Sequence, residues 1–348
     1  MARTNHSLDN RDLPPAEVIF GQSPLMAVAR EKLMRVADTT VPVLLQGESG
    51  TGKEIFANLL HAYSGRSKSP WIKVNCPAIP NSLIESELFG YERGAFTGAY
   101  ATKQGRVELA HMGTLFLDEV GSLDISVQAK LLQLLQDGSF MRVGGQESRS
   151  VNTRLISAAR GDLRQQTNEG SFRLDFFFRI NAVTIELPTL RQRIVDLPAL
   201  IDYFFEVHSK AFRANPRTLS RELVRLMERY DWPGNIRQLE NMIRSYILIG
   251  SEEILAAELV PAVSSSLTTE IDLANPVSLK EITRAATQDL ERQIIMKVLQ
   301  ANGWSRLKTA KWLNISYRSL LYKLQDPQVG ALPGKSRPRT PVATQDRD

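Results

Sequence analysis

An apolar run at residues 41–46 (VPVLLQ) leads directly into Gly47-Glu48-Ser49-Gly50-Thr51-Gly52-Lys53-Glu54, and an amphipathic stretch, IFANLLHAY, follows at once. Few folds suit that order. A buried strand, a turn rich in glycine and then a helix form a unit whose backbone N–H groups close round a phosphate, while the helix N-terminus adds its positive dipole. Lys53 is placed to reach the β and γ phosphates. The strict pattern ends in Ser or Thr, whose hydroxyl binds Mg²⁺, but Glu54 stands there instead. Taken alone, the run also suits a plain glycine-rich turn.

A second feature lies 65 residues beyond Lys53, where the apolar strand Leu115-Phe116-Leu117 ends in Asp118-Glu119. At the carboxyl end of a strand, Asp118 can hold the water shell of Mg²⁺ and Glu119 can polarise an attacking water. An Asp-Glu pair after a strand is, by itself, equally a helix cap. Behind a strand, loop and helix it predicts ATP hydrolysis. Further apolar runs at Trp71–Asn75 and Arg154–Ala159, with helical patterns between them, predict an α/β fold built on a parallel sheet.

That alternation stops at Leu187-Pro188, and residues 190–250 read as helices, for example at 197–212 and 220–230. The predicted organisation is a polar lead-in at 1–17, an α/β body at 18–188 and a helical lid at 189–250. A linker at 251–277 follows, rich in Ser, Thr, Ala and Pro, then a small all-α module at 278–325 and a disordered basic tail at 326–348. Cys76 is the only cysteine, which excludes an intrachain disulfide and a cysteine-based zinc cluster. No segment reads as a signal peptide or approaches the roughly 20 apolar residues of a membrane span. The expectation is a soluble, cytoplasmic protein with no membrane partner. The net charge of +5 is unevenly placed: residues 301–348 carry nine basic and three acidic side chains, so the rest sums to −1. A basic end is either a solvated terminus or a footprint for nucleic acid.

Between the two nucleotide motifs, Gly94 and Gly98 flank Phe96-Thr97 in the run GYERGAFTGA. The glycines permit a movable tip that displays the aromatic, or a tight turn that tucks it into the core. Taken together, GESGTGKE, SELFGYERGAFTGA, GTLFLDEV, FRLD and WPGNIRQLEN resemble the AAA+ domain of bacterial enhancer-binding proteins, the activators of RNA polymerase carrying sigma-54. The resemblance covers about residues 18–250 and implies ATP and Mg²⁺ as cofactors. It also implies a ring, hexameric when active and dimeric when inactive, that remodels the closed promoter complex. Residue by residue, Gly47, Glu48, Ser49, Gly50, Thr51, Gly52, Lys53 and Glu54 match the phosphate loop. Asp118 and Glu119 match the metal and catalytic pair, and Asn75 matches the Asn that pairs with that Glu. Arg173 and Arg179 match the fingers that reach a neighbour's γ-phosphate, and Arg237 the sensor arginine of the lid. Gly94, Ala95, Phe96, Thr97, Gly98 and Ala99 match the sigma-54 contact. Read without the family, each arginine is equally a surface ion-pair partner and Asn75 a simple cap.

One departure stands out. After Arg154-Leu155-Ile156-Ser157-Ala158 many members carry Thr-Asn, a polar sensor of the γ-phosphate, whereas this chain has Ala159-Arg160. Either Arg160 substitutes for the sensor or hydrolysis and its coupling are weakened.

At the basic end, residues 308–313, the turn Asn314-Ile315-Ser316 and residues 317–325 have helix-turn-helix spacing and resemble a Fis-type domain. Asn314 suits a left-handed turn residue and Ser316 an N-cap. Ser316, Tyr317, Arg318, Ser319, Tyr322 and Lys323 then face double-stranded enhancer DNA. A helix at 278–301, opened by Ser278-x-x-Glu281 and apolar at Ile282, Ala286, Leu290, Ile294 and Val298, would pair two subunits on a dyad site. The resemblance implies an ATP-driven activator of sigma-54 polymerase. The alternatives are a DNA-binding regulator with a weak ATPase that never engages sigma-54, or a different AAA+ machine. With 17 residues before Val18, no sensor domain is expected, and control falls to a separate regulatory protein, a paired homologue or expression level.

Overall fold

The computed structural model describes residues 13–214, 218–259, 295, 298–299 and 305–324, the last four of these without their side chains. The chain divides into two units, Met1–Pro261 and Ala262–Asp348. In the first, the strands are β1 (Val43–Gln46), β2 (Trp71–Asn75), β3 (Gly90–Tyr91), β4 (Lys103–Gln104), β5 (Thr114–Asp118), β6 (Ser139–Met141), β7 (Ser148–Ser150), β8 (Arg154–Ala159) and β9 (Val183–Glu186). Five of them form a parallel sheet in the order β2-β5-β8-β1-β9, while β3-β4 and β6-β7 are antiparallel ribbons. This is the α/β fold expected from the alternating apolar runs.

The central strands are apolar at nearly every position because helices cover both faces of the sheet. On one face Leu44, Leu115, Leu117 and Leu155 pack with residues of α4 (Asn81–Phe89), α6 (Ile125–Asp137) and α8 (Leu174–Ile180). On the other, Val43, Leu45, Phe116 and Ile156 meet α1 (Ala16–Phe20), α2 (Pro24–Val36) and α3 (Lys53–Ala62). Alternate residues of one strand thus feed two cores. The short helices α5 (Arg106–Leu109) and α7 (Leu163–Asn168) complete the body. Arg154 lies inside this apolar packing and is 1% exposed. It donates to the carbonyls of Ala37 at 2.5 Å, Val36 at 2.8 Å and Leu60 at 3.2 Å, closing the ends of α2 and α3. Burial pulls its guanidinium down to about 10.

After a 3-10 segment, Leu190–Asp196, the lid is built from α9 (Leu197–Phe212), α10 (Arg221–Arg229), α11 (Asn235–Ile249) and α12 (Glu252–Leu259) round Trp232, Leu239 and Ile243. The buried pair Arg193–Asp196, at 2.8 Å, joins the lid to the first helices, since Asp196 Oδ1 accepts from Gln22 N at 2.6 Å and Ser23 N at 3.2 Å.

Two expected boundaries move. The lead-in does not run to 17, because Leu13 packs on the body core and α1 starts at Ala16, burying Ile19 and Phe20. Nor does the linker begin at 251: Leu255 and Leu259, one turn apart on α12, enter the lid core, and Glu252 accepts from Ser220 N at 2.8 Å. The apolar run at 41–46 pairs as a strand only from Val43.

In the second unit, α13 (Arg306–Trp312) and α14 (Tyr317–Leu324) meet across Asn314, which is left-handed at φ 51°. Ser319 N donates to Ser316 Oγ at 3.0 Å, the expected cap, and Leu320 packs with Ala310 and Ile295. Of the helix predicted at 278–301, Ile295, Val298 and Leu299 are described and helical. Ser278, Glu281, Ile282, Ala286, Leu290, Ile294 and the tail at 326–348 lie outside the described residues. Among the described residues no helix is long and apolar enough to cross a membrane.

Candidate active site

Strands β1, β5 and β8 all end at the same edge of the sheet, in Gln46, Asp118 and Ala159. The crevice outside the carboxyl ends of parallel strands is where ligands sit in such sheets. Residues 47–52 fold as a loop there, and Lys53 opens α3. Lys53 is buried, and its Nζ donates to the carbonyls of Gly47 at 2.7 Å and Glu48 at 2.8 Å. Burial holds its ammonium below the usual range, with Asp118 and Glu119 pulling the other way. Asp118 is pushed up by burial, against Lys73 and Lys53. Thr51 Oγ1 donates to Glu48 O at 2.9 Å, which tightens the loop on itself.

Glu119 is left-handed, at φ 56° and ψ 51°, an uncommon state for a residue with a side chain and worth about 1 kcal/mol of strain. Strain of this kind gathers at functional sites. Asn75 ends β2 directly opposite Asp118 in the strand pair, and it makes no side-chain cap to the turn that follows. Glu54, where a hydroxyl is usual, pairs with Lys73 of β2 at 2.5 Å. Asp118 presents a carboxylate beside Lys53, which fits Mg²⁺, since that ion takes one or two carboxylates and completes its shell with phosphate and water. Among the described residues no group of three or more His, Cys, Asp or Glu forms a separate metal centre.

The lid grips the phosphate loop through Asn235, Ile236 and Arg191, none of them among the expected site residues, and through the expected Arg237. Asn235 is fully buried; its Nδ2 donates to Glu48 Oε2 at 3.2 Å and Ser49 O at 3.0 Å, while its Oδ1 accepts from Leu190 N at 2.8 Å. Ile236 N donates to Gly50 O at 3.0 Å, and Arg191 pairs with Glu48. Those bonds, Arg191 first, hold the Glu48 carboxyl below its usual range. Arg237 Nη1 donates to Ser49 Oγ at 3.2 Å. Gly50, at φ 78°, has no room for a Cβ, which would stand 2.3 Å from Gly234 O. The signal for Asn235 lies inside the PGNIR run, but its partner Glu48 is 187 residues away. A cavity of about 310 Å³ opens beside the loop, lined by Val18, Ile19, Gly52, Tyr203, Phe204 and Ile236 among others. Its apolar and aromatic walls suit a planar base.

Arg173 and Arg179 do not converge on this loop. Arg173 pairs with Asp175 at 2.7 Å and Arg179 Nη2 donates to Leu135 O at 2.6 Å; Arg173 stands at the N-cap of α8 and Arg179 in its last turn, and Leu174 and Phe178 of that helix face solvent. The backbone of Arg173 is anchored by the buried Gln128, whose Oε1 accepts from Arg173 N at 2.8 Å.

The 94–99 run forms the tip of the β3-β4 ribbon. Gly94 N donates to Ala99 O at 2.9 Å, closing it as a compact turn. Phe96 is 42% exposed and rests on Tyr91 with ring centres 4.9 Å apart. Phe96, Thr97 and Gly98 are exposed, but Ala99 is 4% exposed and faces inward, so its side chain holds the turn together. Beneath the tip, the nearly buried Arg142 joins Glu92 at 3.0 Å to Glu108 at 2.7 Å, tying both ribbons to α5. In the second unit, Ser316, Tyr317 and Arg318 are exposed and Ser319 is half-buried. The side chains of Tyr322 and Lys323 lie outside the described residues.

Three known profiles match the sequence: the sigma-54 interaction domain at residues 19–186, the AAA+ ATPase lid domain at 191–273, and the bacterial regulatory protein, Fis family, at 287–326. Among characterised relatives, the regulatory protein AtoC of Escherichia coli K12 is 40% identical over 88% of this chain and 67% of its own length. The transcriptional regulatory protein ZraR of Salmonella typhi is 39% identical over 90% of this chain and 70% of its own. The Nif-specific regulatory protein of Azotobacter vinelandii is 37% identical over 88% of this chain and 58% of its own. Among solved structures, NtrX from Brucella abortus in complex with ATP superposes with a TM-score of 0.63 at 32% identity, covering 89% of this chain and 69% of that one.

Proposed function

The chain belongs to the family of sigma-54-dependent transcriptional activators, and from that premise we propose that it is an ATPase which binds enhancer-like DNA and opens sigma-54 promoters. The observation that carries the reading is the convergence of Lys53, Asp118 and Glu119 at one sheet edge, under a phosphate loop gripped by the lid.

In this reading the loop N–H groups of residues 47–52 and Lys53 hold the β and γ phosphates of ATP, and Lys53 exchanges two carbonyls for phosphate oxygens. The base enters the cavity lined by Tyr203 and Phe204. Asp118 would hold Mg²⁺, which when bound would neutralise phosphate charge. Glu119 orients a water against the γ phosphorus; its O–P bond forms as the bond to the β–γ bridging oxygen breaks, releasing ADP and phosphate. Asn75 acts beside that pair. Arg173 and Arg179 leave Asp175 and the Leu135 carbonyl to reach the γ-phosphate of a neighbouring subunit in a ring, dimeric at rest and hexameric when active. Arg237, on the lid, reports the phosphate to the helical subdomain.

Turnover is proposed to move the Phe96-Thr97 tip against sigma-54, with Gly94, Ala95, Gly98 and Ala99 forming the turn that carries it. Ser316, Tyr317, Arg318, Ser319, Tyr322 and Lys323 face double-stranded enhancer DNA in the cytoplasm, and a separate regulatory protein sets when the ring forms. Ala159-Arg160 favours a second reading, a DNA-binding regulator with weak turnover.

The test is open-complex formation at a sigma-54 promoter with ATP. Thr97→Ala is expected to keep ATP turnover and lose opening. Glu119→Gln is expected to bind ATP and lose both. Equal opening by wild type and the two variants overturns the proposal.

A further inference from the structure

The cavity beside the phosphate loop extends along α3, whose Glu54, Ile55 and Asn58 form one of its walls. Asn58 stands five residues beyond Lys53, which is about 7.5 Å further along the helix axis. That distance takes it away from the phosphate end. The rest of the lining is largely apolar, with Val18, Ile19, Tyr203, Phe204 and Val207 among its members.

What separates Asn58 from its polar neighbours there is an unmet bond. Asn58 Oδ1 is buried and has no hydrogen-bond partner. Elsewhere in the lining Thr51 Oγ1 donates to Glu48 O, Glu54 pairs with Lys73, Arg193 pairs with Asp196, and Glu240 lies 3.4 Å from His208 Nε2. Among the described residues no other side chain of this lining holds a buried polar atom without a partner. An acceptor taken out of water and left unpaired costs stability, and folded interiors seldom keep one. Here it borders a cavity, so a donor on whatever enters that cavity can satisfy it.

Resting on the reading of this cavity as the seat of the base, we propose that Asn58 selects the base: its Oδ1 accepts a hydrogen bond from the exocyclic amino group of adenine. That group is the donor on the adenine ring. Guanine carries the acceptor O6 at the same ring position, so it would set two acceptors against each other. A site whose buried polar group needs a donor rejects an analogue without one more strongly than an apolar wall can. The aliphatic and aromatic walls thus hold a planar ring of either kind, and Asn58 distinguishes between them.

The experiment measures equilibrium affinities of the full chain for ADP, for purine riboside diphosphate, which lacks only the amino group, and for GDP. It compares wild type, Asn58→Leu and Asn58→Asp. One neutral hydrogen bond changes a binding constant by roughly twofold to tenfold. Wild type should favour ADP over purine riboside diphosphate within that range, and over GDP by about tenfold or more. Asn58→Leu fills the space without an acceptor, so ADP should weaken until it binds no better than purine riboside diphosphate. Asn58→Asp keeps an acceptor and should keep the order of the three. Equal affinity of wild type for ADP and purine riboside diphosphate, or an undiminished preference for ADP in Asn58→Leu, overturns the assignment while leaving the nucleotide site standing. A uniform loss for all three ligands in Asn58→Leu overturns it too, since that marks a purely structural residue. Wild type that binds none of the three overturns the reading of the cavity as well.

Discussion

Arg154 and Arg160 stand six residues apart, one opening β8 and the other just past its end. The strand separates them into opposite environments. Arg154 is enclosed, and its three side-chain hydrogen bonds, two from Nη1 and one from Nη2, all go to helix-terminal carbonyls; its Nε has no partner. Arg160 is in the open, within the field of Lys53, with no partner among the described residues. A buried cation held by backbone acceptors fastens helices. An exposed cation with no hydrogen bond or ion pair of its own fastens nothing. The same residue type thus serves construction at the amino end of β8 and carries no structural bond just past its carboxyl end.

The sharpest test of this contrast is Arg154→Met, which fills the space but leaves three helix-terminal carbonyls without their donor. Each orphaned buried acceptor costs on the order of 1 kcal/mol or more, offset in part by no longer burying a charge. The net expectation is a loss of about 3 kcal/mol in unfolding free energy, read by chemical denaturation. Arg160→Ala should leave stability within about 0.5 kcal/mol of wild type, as for other exposed substitutions. If the two variants lose the same stability, the division of labour along β8 is wrong.

The same contrast explains what could be read in advance. Strands β1, β5 and β8 were legible because burial from both faces writes continuous apolar runs, the edge strand β2 by Trp71, Ile72 and Val74, and the glycine-rich loop and Asp118-Glu119 announce themselves by spacing. The edge strand β9 and the ribbons β3-β4 and β6-β7 were not, since two to four residues of mixed polarity carry no period. Helix α12 looked like linker because only Leu255 and Leu259 are apolar anchors, and their value depends on the lid they enter. Asn235, Arg191 and Gln128 act through partners that only folding supplies. A missing partner is still harder to foresee, and Arg160 could be flagged from the sequence only as a departure.

Asn235 lies between the two extremes, buried like Arg154 yet bonded to the phosphate loop. Asn235→Ala strands the Leu190 N–H in the interior and frees Glu48 and Ser49 from the lid. It also puts Ala at φ 51°, where Asn is better tolerated. The expected cost is about 2 kcal/mol of stability, joined by weaker binding of ATP and ADP alike, because the loop itself loosens. A stability loss with nucleotide affinity intact would show that the lid's grip is construction only.

The smallest effect belongs to Glu48, the exposed carboxylate at the end of that latch. Arg191 first and Asn235 second hold its folded carboxyl below its ordinary value of 4.5. A carboxyl depressed on folding adds stability above its unfolded value, and that stability is lost as pH falls through the depressed one. Wild type should therefore lose this part of its stability between about pH 4.5 and lower values, whereas Glu48→Gln, which cannot titrate, should not. Because the pair is open to water, the difference at neutral pH is small, and the two melting curves should draw together on acidification. Thermal midpoints measured across pH 3–7 for both proteins decide the matter: a gap that stays constant across this range would mean that the latch is held by Asn235 and Ile236 alone and that the Arg191 pair contributes nothing.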